Sequence, residues 1–346
     1  MSDTVQVADE AAPPAWIRAD LAARASYLAP DVGIARAFTL PRARVEGALT
    51  HGTSTVHIVA AAVRSGGETG YVGIDGEAMV PTLHAAEGVV DVPSLGVVSS
   101  AGLVQDDWTR TGDAAWALRP LAPSLGEDLG WMEVADLGGK VSWSSARWTT
   151  SLAATTGEGA RFRERNEGKN VTGYVELRPL AGRSSLVVSG LAREGSRGLG
   201  LARDHRAGVR ASGGTEAWRV GMEVLAAWGV GGDSSRMPQA ASVWLTGQPL
   251  DGWIGWVRFD AATEDVINPD AASYVTRTGM GRTLGQGARL TAGGVFRDVG
   301  SAVRGVAGAD ALSTSTEAFV QLDVWVDTRD DTKSSRAGHG GGPTRR

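Results

Sequence analysis

Residues 147–193 read RWTTSLAATTGEGARFRERNEGKNVTGYVELRPLAGRSSLVVSGLAR: three alternating segments, joined first by a long charged connection and then by a very short one. Over Val171–Pro179 the odd positions carry Val171, Gly173, Val175, Leu177 and Pro179. The even positions carry Thr172, Tyr174, Glu176 and Arg178. Strict period-two alternation of apolar and polar residues predicts a strand with one dry face and one wet face. Whether the dry face meets a protein core or lipid decides the fold class.

The same alternation extends in both directions. Upstream it predicts strands at Trp16–Tyr27, Ile34–Thr50, Ser54–Arg64, Val80–Asp91, Gly96–Val104, Trp131–Trp143 and Ala146–Thr156. After Lys169–Leu180 and Arg183–Glu194 it recurs at His205–Ser212, Thr215–Trp228, Met237–Gln248, Gly252–Asp260, Val275–Gly285, Ala288–Val299 and Thr316–Asp327. Turn-sized breaks such as Ser144–Ser145, Ala181–Gly182, Gly213–Gly214 and Gln286–Gly287 alternate with long connections such as Ser65–Met79, Gln105–Glu127 and Gly157–Gly168. About sixteen strands with short turns at one end and long loops at the other describe a transmembrane antiparallel up-and-down β-barrel, with short periplasmic turns and long extracellular loops. Greek-key sandwiches mix connection lengths, and no propeller-like repeat of 40–50 residues is present.

The charges separate core from lumen. One face of the predicted strands carries Arg18, Asp20, Arg24, Arg42, Arg44, Glu46, Glu176, Arg178, Arg206, Arg210, Arg219, Glu223 and Arg258. A packed interior would have to pair or hydrate every one of them, at several kcal/mol for each unpaired charge. A water-filled lumen removes that cost, so these thirteen are the expected pore lining. The opposite faces are Val, Leu, Ala, Gly and Trp, which outer-membrane lipid accepts. Barrel closure satisfies every backbone group. Trp16, Trp143, Trp148, Trp228 and Trp253, near strand ends, suit interfacial girdles.

Composition agrees. The chain has 48 Gly, 12 Trp and no Cys, and its basic charge is almost entirely Arg, with Lys only at 140, 169 and 333. Without Cys there are no disulfides or thiol metal sites. A net charge of −5 gives no reason to expect nucleic acid as a partner. No run approaches the roughly 18 apolar residues of a membrane helix, whereas a membrane strand needs only about 9–11. Residues 1–15 read as a flexible lead, 16–327 as the barrel and 328–346 as a disordered polar tail. The first residues lack the basic and apolar regions of a secretory signal, and read as a mature N-terminus with an added Met or a mis-assigned start.

Within this pattern, TTGEG (Thr155–Gly159), Asn166 and KNVTGYVELRP (Lys169–Pro179) resemble the phosphate-selective porin family, where a similar strand–charged loop–strand run ends in Pro. DLGGKVSW (Asp136–Trp143) and WIGWVRFD (Trp253–Asp260) resemble two further strands, so the likeness spans about Glu127–Asp260. The resemblance implies a sixteen-stranded outer-membrane channel, often a homotrimer, that passes small anions. Its phosphate specificity relies on pore lysines, and here only Lys140 and Lys169 stand in the body of the chain, although Arg also binds anions. The family's aromatic strand terminus has Trp325 as its nearest counterpart.

In general porins the third long loop folds inward. If Gln105–Glu127 does so, Asp106, Asp107, Arg110, Asp113 and Arg119 form a mixed-charge constriction; otherwise it is an external loop. Arg outnumbers Asp and Glu on the predicted lumen faces, which predicts weak anion preference led by Arg18, Arg42, Arg44, Arg178, Arg206, Arg210, Arg219 and Arg258. Catalytic and cofactor signals are weak. Five scattered His show no ligand spacing, His205 after Asp204 reads as a loop contact, and GSRGLG (Gly195–Gly200) has no helix to receive phosphate. The expected function is passive diffusion of small hydrophilic solutes or anions, without enzymatic activity, cofactor or metal. The competing readings are a soluble or periplasmic all-β glycan-binding module that uses its Trp residues as stacking platforms, and an outer-membrane barrel enzyme.

Overall fold

Alternation builds strands, and strands with one apolar face close on themselves when no second sheet covers them. The computed structural model describes residues 15–30, 35–64, 79–157, 159, 168–180, 186–197, 201–215, 217–230, 237–263, 272–299 and 314–328. Its strands are β1 (Ala15–Pro30), β2 (Ala35–His51), β3 (Ser54–Arg64), β4 (Met79–Val92), β5 (Val97–Gln105), β6 (Ala135–Ser144), β7 (Trp148–Thr155), β8 (Asn170–Leu177) and β9 (Val187–Glu194). A two-residue ribbon, β10 (Ser196–Arg197) with β11 (Ala202–Arg203), precedes β12 (His205–Gly214) and β13 (Trp218–Trp228). Then come β14 (Gln239–Gly247), β15 (Trp253–Thr263), β16 (Ala272–Thr283), β17 (Ala288–Val299) and β18 (Ser315–Asp327).

Leaving the ribbon aside, sixteen strands pair antiparallel with their sequence neighbours, and β1 returns to β18 to close the barrel. The closing register runs from Arg18↔Asp327 to Pro30↔Ser315, so the barrel strands, among the described residues, have no open edge. Short connections (52–53, 93–96, 145–147, 215–217, 248–252, 284–287, and 178–186 at their longest) lie at the end that also holds both strand termini, Ala15 and Asp327. The long connections, 106–134 among them, lie at the other. Two register slips have local causes. Opposite β2, Ala22 pairs Arg42 and Arg24 pairs Thr39, so Leu40 and Pro41 together oppose Ala23, and a proline there cannot donate to the ladder. A second slip, at Val59/Ala60, leaves His84 as the extra residue of β4.

The faces sort as alternation demands. Ile17, Leu21, Val45, Val56, Val171, Val175, Val220, Val243 and Val324 are exposed on the outside, whereas Tyr174, Glu176, Arg210, Glu223, Arg258 and Asp323 point inward and are buried. Trp143, Trp148 and Trp218 form an exposed outer ring at the turn end. Trp253 lies there too, with the Arg282 guanidinium 5.7 Å from its ring. Trp16 departs from the girdle expectation: its parity is that of Arg18, and it packs on the lumenal His57, ring centroids 6.2 Å apart.

Strand six begins at Ala135 rather than Trp131, because Trp131 and Met132 are buried with the inward loop instead of joining the wall. Strand eight ends at Leu177. The lead over 1–14, the tail from 329 and nearly all of Gly157–Gly168 lie outside the described residues.

Candidate pore constriction

The connection from β5 to β6 supplies the site. Asp106 starts a helix by accepting a hydrogen bond from the Thr109 amide at 2.9 Å, an N-cap that satisfies an otherwise orphaned donor. The helix α1 (Asp107–Trp116) carries Trp108, Gly112 and Trp116 four residues apart, and all three are buried. This is the one-sided pattern of a helix laid on a wall. It ends at Ala117, left-handed at φ 62, whose amide reaches the Asp113 carbonyl at 2.8 Å. A short α2 (Leu125–Asp128) follows.

The lumen wall holds this loop by donating into its backbone. Arg210 reaches the Trp108 carbonyl at 2.9 Å, Arg258 the Pro123 carbonyl at 2.6 Å and Arg206 the Trp131 carbonyl at 2.8 Å. Arg24 reaches Leu121 at 3.3 Å, Gln321 reaches Pro120 at 3.0 Å and Lys140 reaches Gln105 at 3.0 Å. Ion pairs add Arg193–Asp106 at 3.0 Å, Lys140–Asp107 at 3.0 Å and Arg277–Asp128 at 2.5 Å. Two apolar clusters fill the space between loop and wall. One joins Trp108, Leu125, Trp131 and Met132 to Tyr174, Leu191 and Leu225; the other joins Trp116, Leu118 and Leu121 to Trp244, Trp256, Val295 and Phe319. The loop therefore folds into the barrel, and the external-loop alternative is set aside.

Two larger open cavities lie among the described residues. One, of about 600 Å³, lies between α1 and the wall of β1, β2, β4, β17 and β18. Its charges are Arg18, Arg42, Arg44, Arg110, Arg119 and Arg289 against Asp20, Glu46, Asp113 and Asp323. The other, of about 510 Å³, opens toward the turn end with Arg110, Arg178 and Arg219 against Glu176. Eight arginines thus face five carboxylates across open space. Much of that charge is paired: Arg42–Asp20 at 2.5 Å, Arg44–Glu46 at 3.0 Å, Arg289–Asp323 at 2.9 Å, and Arg178 closely with Glu176. Arg18 and Arg44 each keep a buried Nε without a partner among the described residues.

All thirteen expected lining residues lie on inward-facing positions, but the loop divides them. Arg18, Asp20, Arg42, Arg44, Glu46, Glu176, Arg178 and Arg219 border the open cavities. Arg24 is half-buried against Gln321, Leu121 and Glu317. Arg206, Arg210, Glu223 and Arg258 are only 2–3% exposed, so they hold the loop and do not meet a solute. Of the eight arginines expected to lead an anion preference, five border open space. Of the loop residues, Asp106 and Asp107 are tied to the wall, while Arg110, Asp113 and Arg119 face the larger cavity. Arg119 bridges Asp113, closely, and Glu127 at 2.6 Å.

Burial pulls the Asp107 carboxyl upward, but Lys140 and Arg110, helped by the Ser151 hydroxyl at 2.6 Å, outweigh it. They hold Asp107 below the usual carboxylate range. Sequence reasoning missed Arg289, Arg277, Arg193, Glu87 and Asp323 as lumenal charges, although each follows from the parity of its strand. His205 Nδ1 accepts from the Gly195 amide at 3.2 Å, and Asp204 accepts from Arg206 at 2.7 Å. That makes the pair a loop contact.

No family model and no curated protein matches the chain. Its barrel is similar to solved outer-membrane structures. The anion-selective porin of Comamonas acidovorans superposes with a TM-score of 0.63 at 10% identity, over 90% of this chain and 99% of that one. OmpT, an outer-membrane protein of Vibrio cholerae, gives 0.58 at 11% identity over 91% and 98%. The outer-membrane channel DcaP of Acinetobacter baumannii gives 0.57 at 10% identity over 90% and 97%. At these identities what is shared is the fold alone.

Proposed function

We propose that this chain forms a water-filled outer-membrane pore for passive diffusion of small hydrophilic solutes, with a weak preference for anions. The observation that carries the reading is the larger cavity, about 600 Å³, left open between α1 and the β1–β2 wall, with six arginines against four carboxylates. Its apolar outer surface supports a lipid environment, as does the outer ring of Trp143, Trp148 and Trp218. The fold is shared with a protein described as an anion-selective porin, and the trimer form of OmpT makes a homotrimer the assembly to test.

Within porins, the motifs over 127–260 support kinship with the phosphate-selective family rather than phosphate as the cargo. Lys140, the lumenal lysine nearest the loop, is held by Asp107 and the Gln105 carbonyl. The test is the reversal potential of the reconstituted full chain under a salt gradient. Stepwise conductance with a modest anion-selective potential is expected. Clear cation preference would overturn the selectivity, and absence of conductance would overturn the pore.

A further inference from the structure

Both open cavities share two residues of α1, Arg110 and Ala114. Arg110 is thus the charged residue that borders both cavities. The surrounding charges do not cancel. Asp107 is 9% exposed and already serves Lys140, 12% exposed, with the ammonium 3.0 Å from Oδ1. Arg110 approaches the same Oδ1 at 3.1 Å as a second cation, and its side chain is 54% exposed. Two cations therefore share one carboxylate, and the surplus unit charge sits on the partner that faces water. The other loop arginine, Arg119, has the opposite ratio, with Asp113 and Glu127 both on it. On the walls nearby, Arg42, Arg44, Arg289 and Arg178 each have a carboxylate of their own, and Arg18 and Arg219, which have no ion pair among the described residues, each border one cavity only.

From this we infer that Arg110 is the specificity-determining residue of the pore, setting its anion preference by an uncompensated charge at the junction of the two cavities. The inference rests on the channel reading above. A unit charge acting across about 8 Å of water raises the local anion population and lowers the cation population by a little over twofold each, a change of about fivefold in their ratio. Asp107 belongs to the same device, because its one negative charge decides how much of the two positive charges is left over.

Planar-bilayer recording of the full chain in a potassium chloride gradient tests it, using wild type, Arg110→Gln, Arg110→Lys and Asp107→Asn. Arg110→Gln is expected to lower the anion-to-cation permeability ratio about fivefold while stepwise conductance persists. Arg110→Lys keeps the wild-type ratio, and Asp107→Asn raises it. An unchanged reversal potential in Arg110→Gln overturns the inference and moves selectivity to Arg18, Arg42 and Arg44. So does an Arg110→Lys ratio that falls with the glutamine variant, or an Asp107→Asn ratio that does not rise. Failure of the channel reading looks different, because wild type then gives no steps at all.

Discussion

The Arg210 guanidinium lies 4.0 Å from the centre of the Trp108 ring, and one wall residue thereby fixes the helix that divides the lumen. The same Arg210 donates to the Trp108 carbonyl at 2.9 Å and to Glu223 at 2.9 Å, while the Trp108 indole donates to the other Glu223 oxygen at 3.0 Å. Charge, stacking and hydrogen bonding converge on a residue with no exposed surface. Truncating a buried tryptophan costs about 3–5 kcal/mol, and here that cost falls on loop docking. The barrel itself is held by its strand ladder. Trp108→Ala and Arg210→Ala are therefore expected to keep the compact barrel's fast gel migration before heating, yet to show larger and noisier single-channel conductance. Wild-type conductance in both variants would mean that the loop does not limit the pore.

Gly208, on β12, leaves the space that the indole occupies. A Cβ there would stand 2.8 Å from Cζ2 of Trp108, closer than real Cβ atoms approach, and a tight 3.1 Å from Leu225. Overpacking of this kind costs about 1–3 kcal/mol. Gly208→Val is expected to push α1 off the wall and to reproduce the Trp108→Ala conductance. Gly255, on an open face where a Cβ meets nothing within 4 Å, is the control: Gly255→Val should leave conductance unchanged.

These residues mark the boundary of what the sequence makes legible. Period-two alternation reports side-chain parity, so it located the strands to within a few residues and put Arg18 and Arg206 on the same inward face. Parity carries no information on what covers that face. Arg206 became a 3%-exposed anchor, and Arg18 a cavity wall, only because the loop lies against one side of the barrel. The helix itself left a trace in the Asp106 cap and in Trp108, Gly112 and Trp116 at fourfold spacing. That trace is a single short helix inside a segment dense in Asp, Pro and Trp, where no strand rule applies.

Asp107 gives the loop a defined pH response. Its carboxyl is held below the usual range by Lys140 and Arg110 against the upward pull of burial. A depressed folded-state value means the charged contacts contribute fully above the ordinary Asp pKa of about 3.9 and are lost only as pH falls through the lower value in the fold. Conductance noise and the Asp107 share of selectivity should therefore stay flat from neutral pH down to about pH 4. Below that, protonation removes the carboxylate charge, anion preference rises and the loop loosens. Bilayer recordings at stepped pH check this, and a loop transition near neutral pH would refute the assignment.

His57 stands between two carboxylates on adjacent strands, with Nε2 at 3.0 Å from Glu46 Oε1 and Nδ1 at 3.2 Å from Glu87 Oε1. Carboxylate oxygens only accept, so the ring serves both neighbours through its two nitrogens, whereas a glutamine amide can reach one of them. Glu87 is 7% exposed, and leaving such a group unpartnered costs about 3–5 kcal/mol. His57→Gln is expected to lower the temperature at which the heat-modifiable band converts to the unfolded one. Adding Glu87→Gln should restore most of that loss, because the buried charge is then gone. A His57→Gln barrel that melts like wild type, or a double variant no better than the single, would show that the Glu46–His57–Glu87 row does not brace the β2–β3–β4 wall.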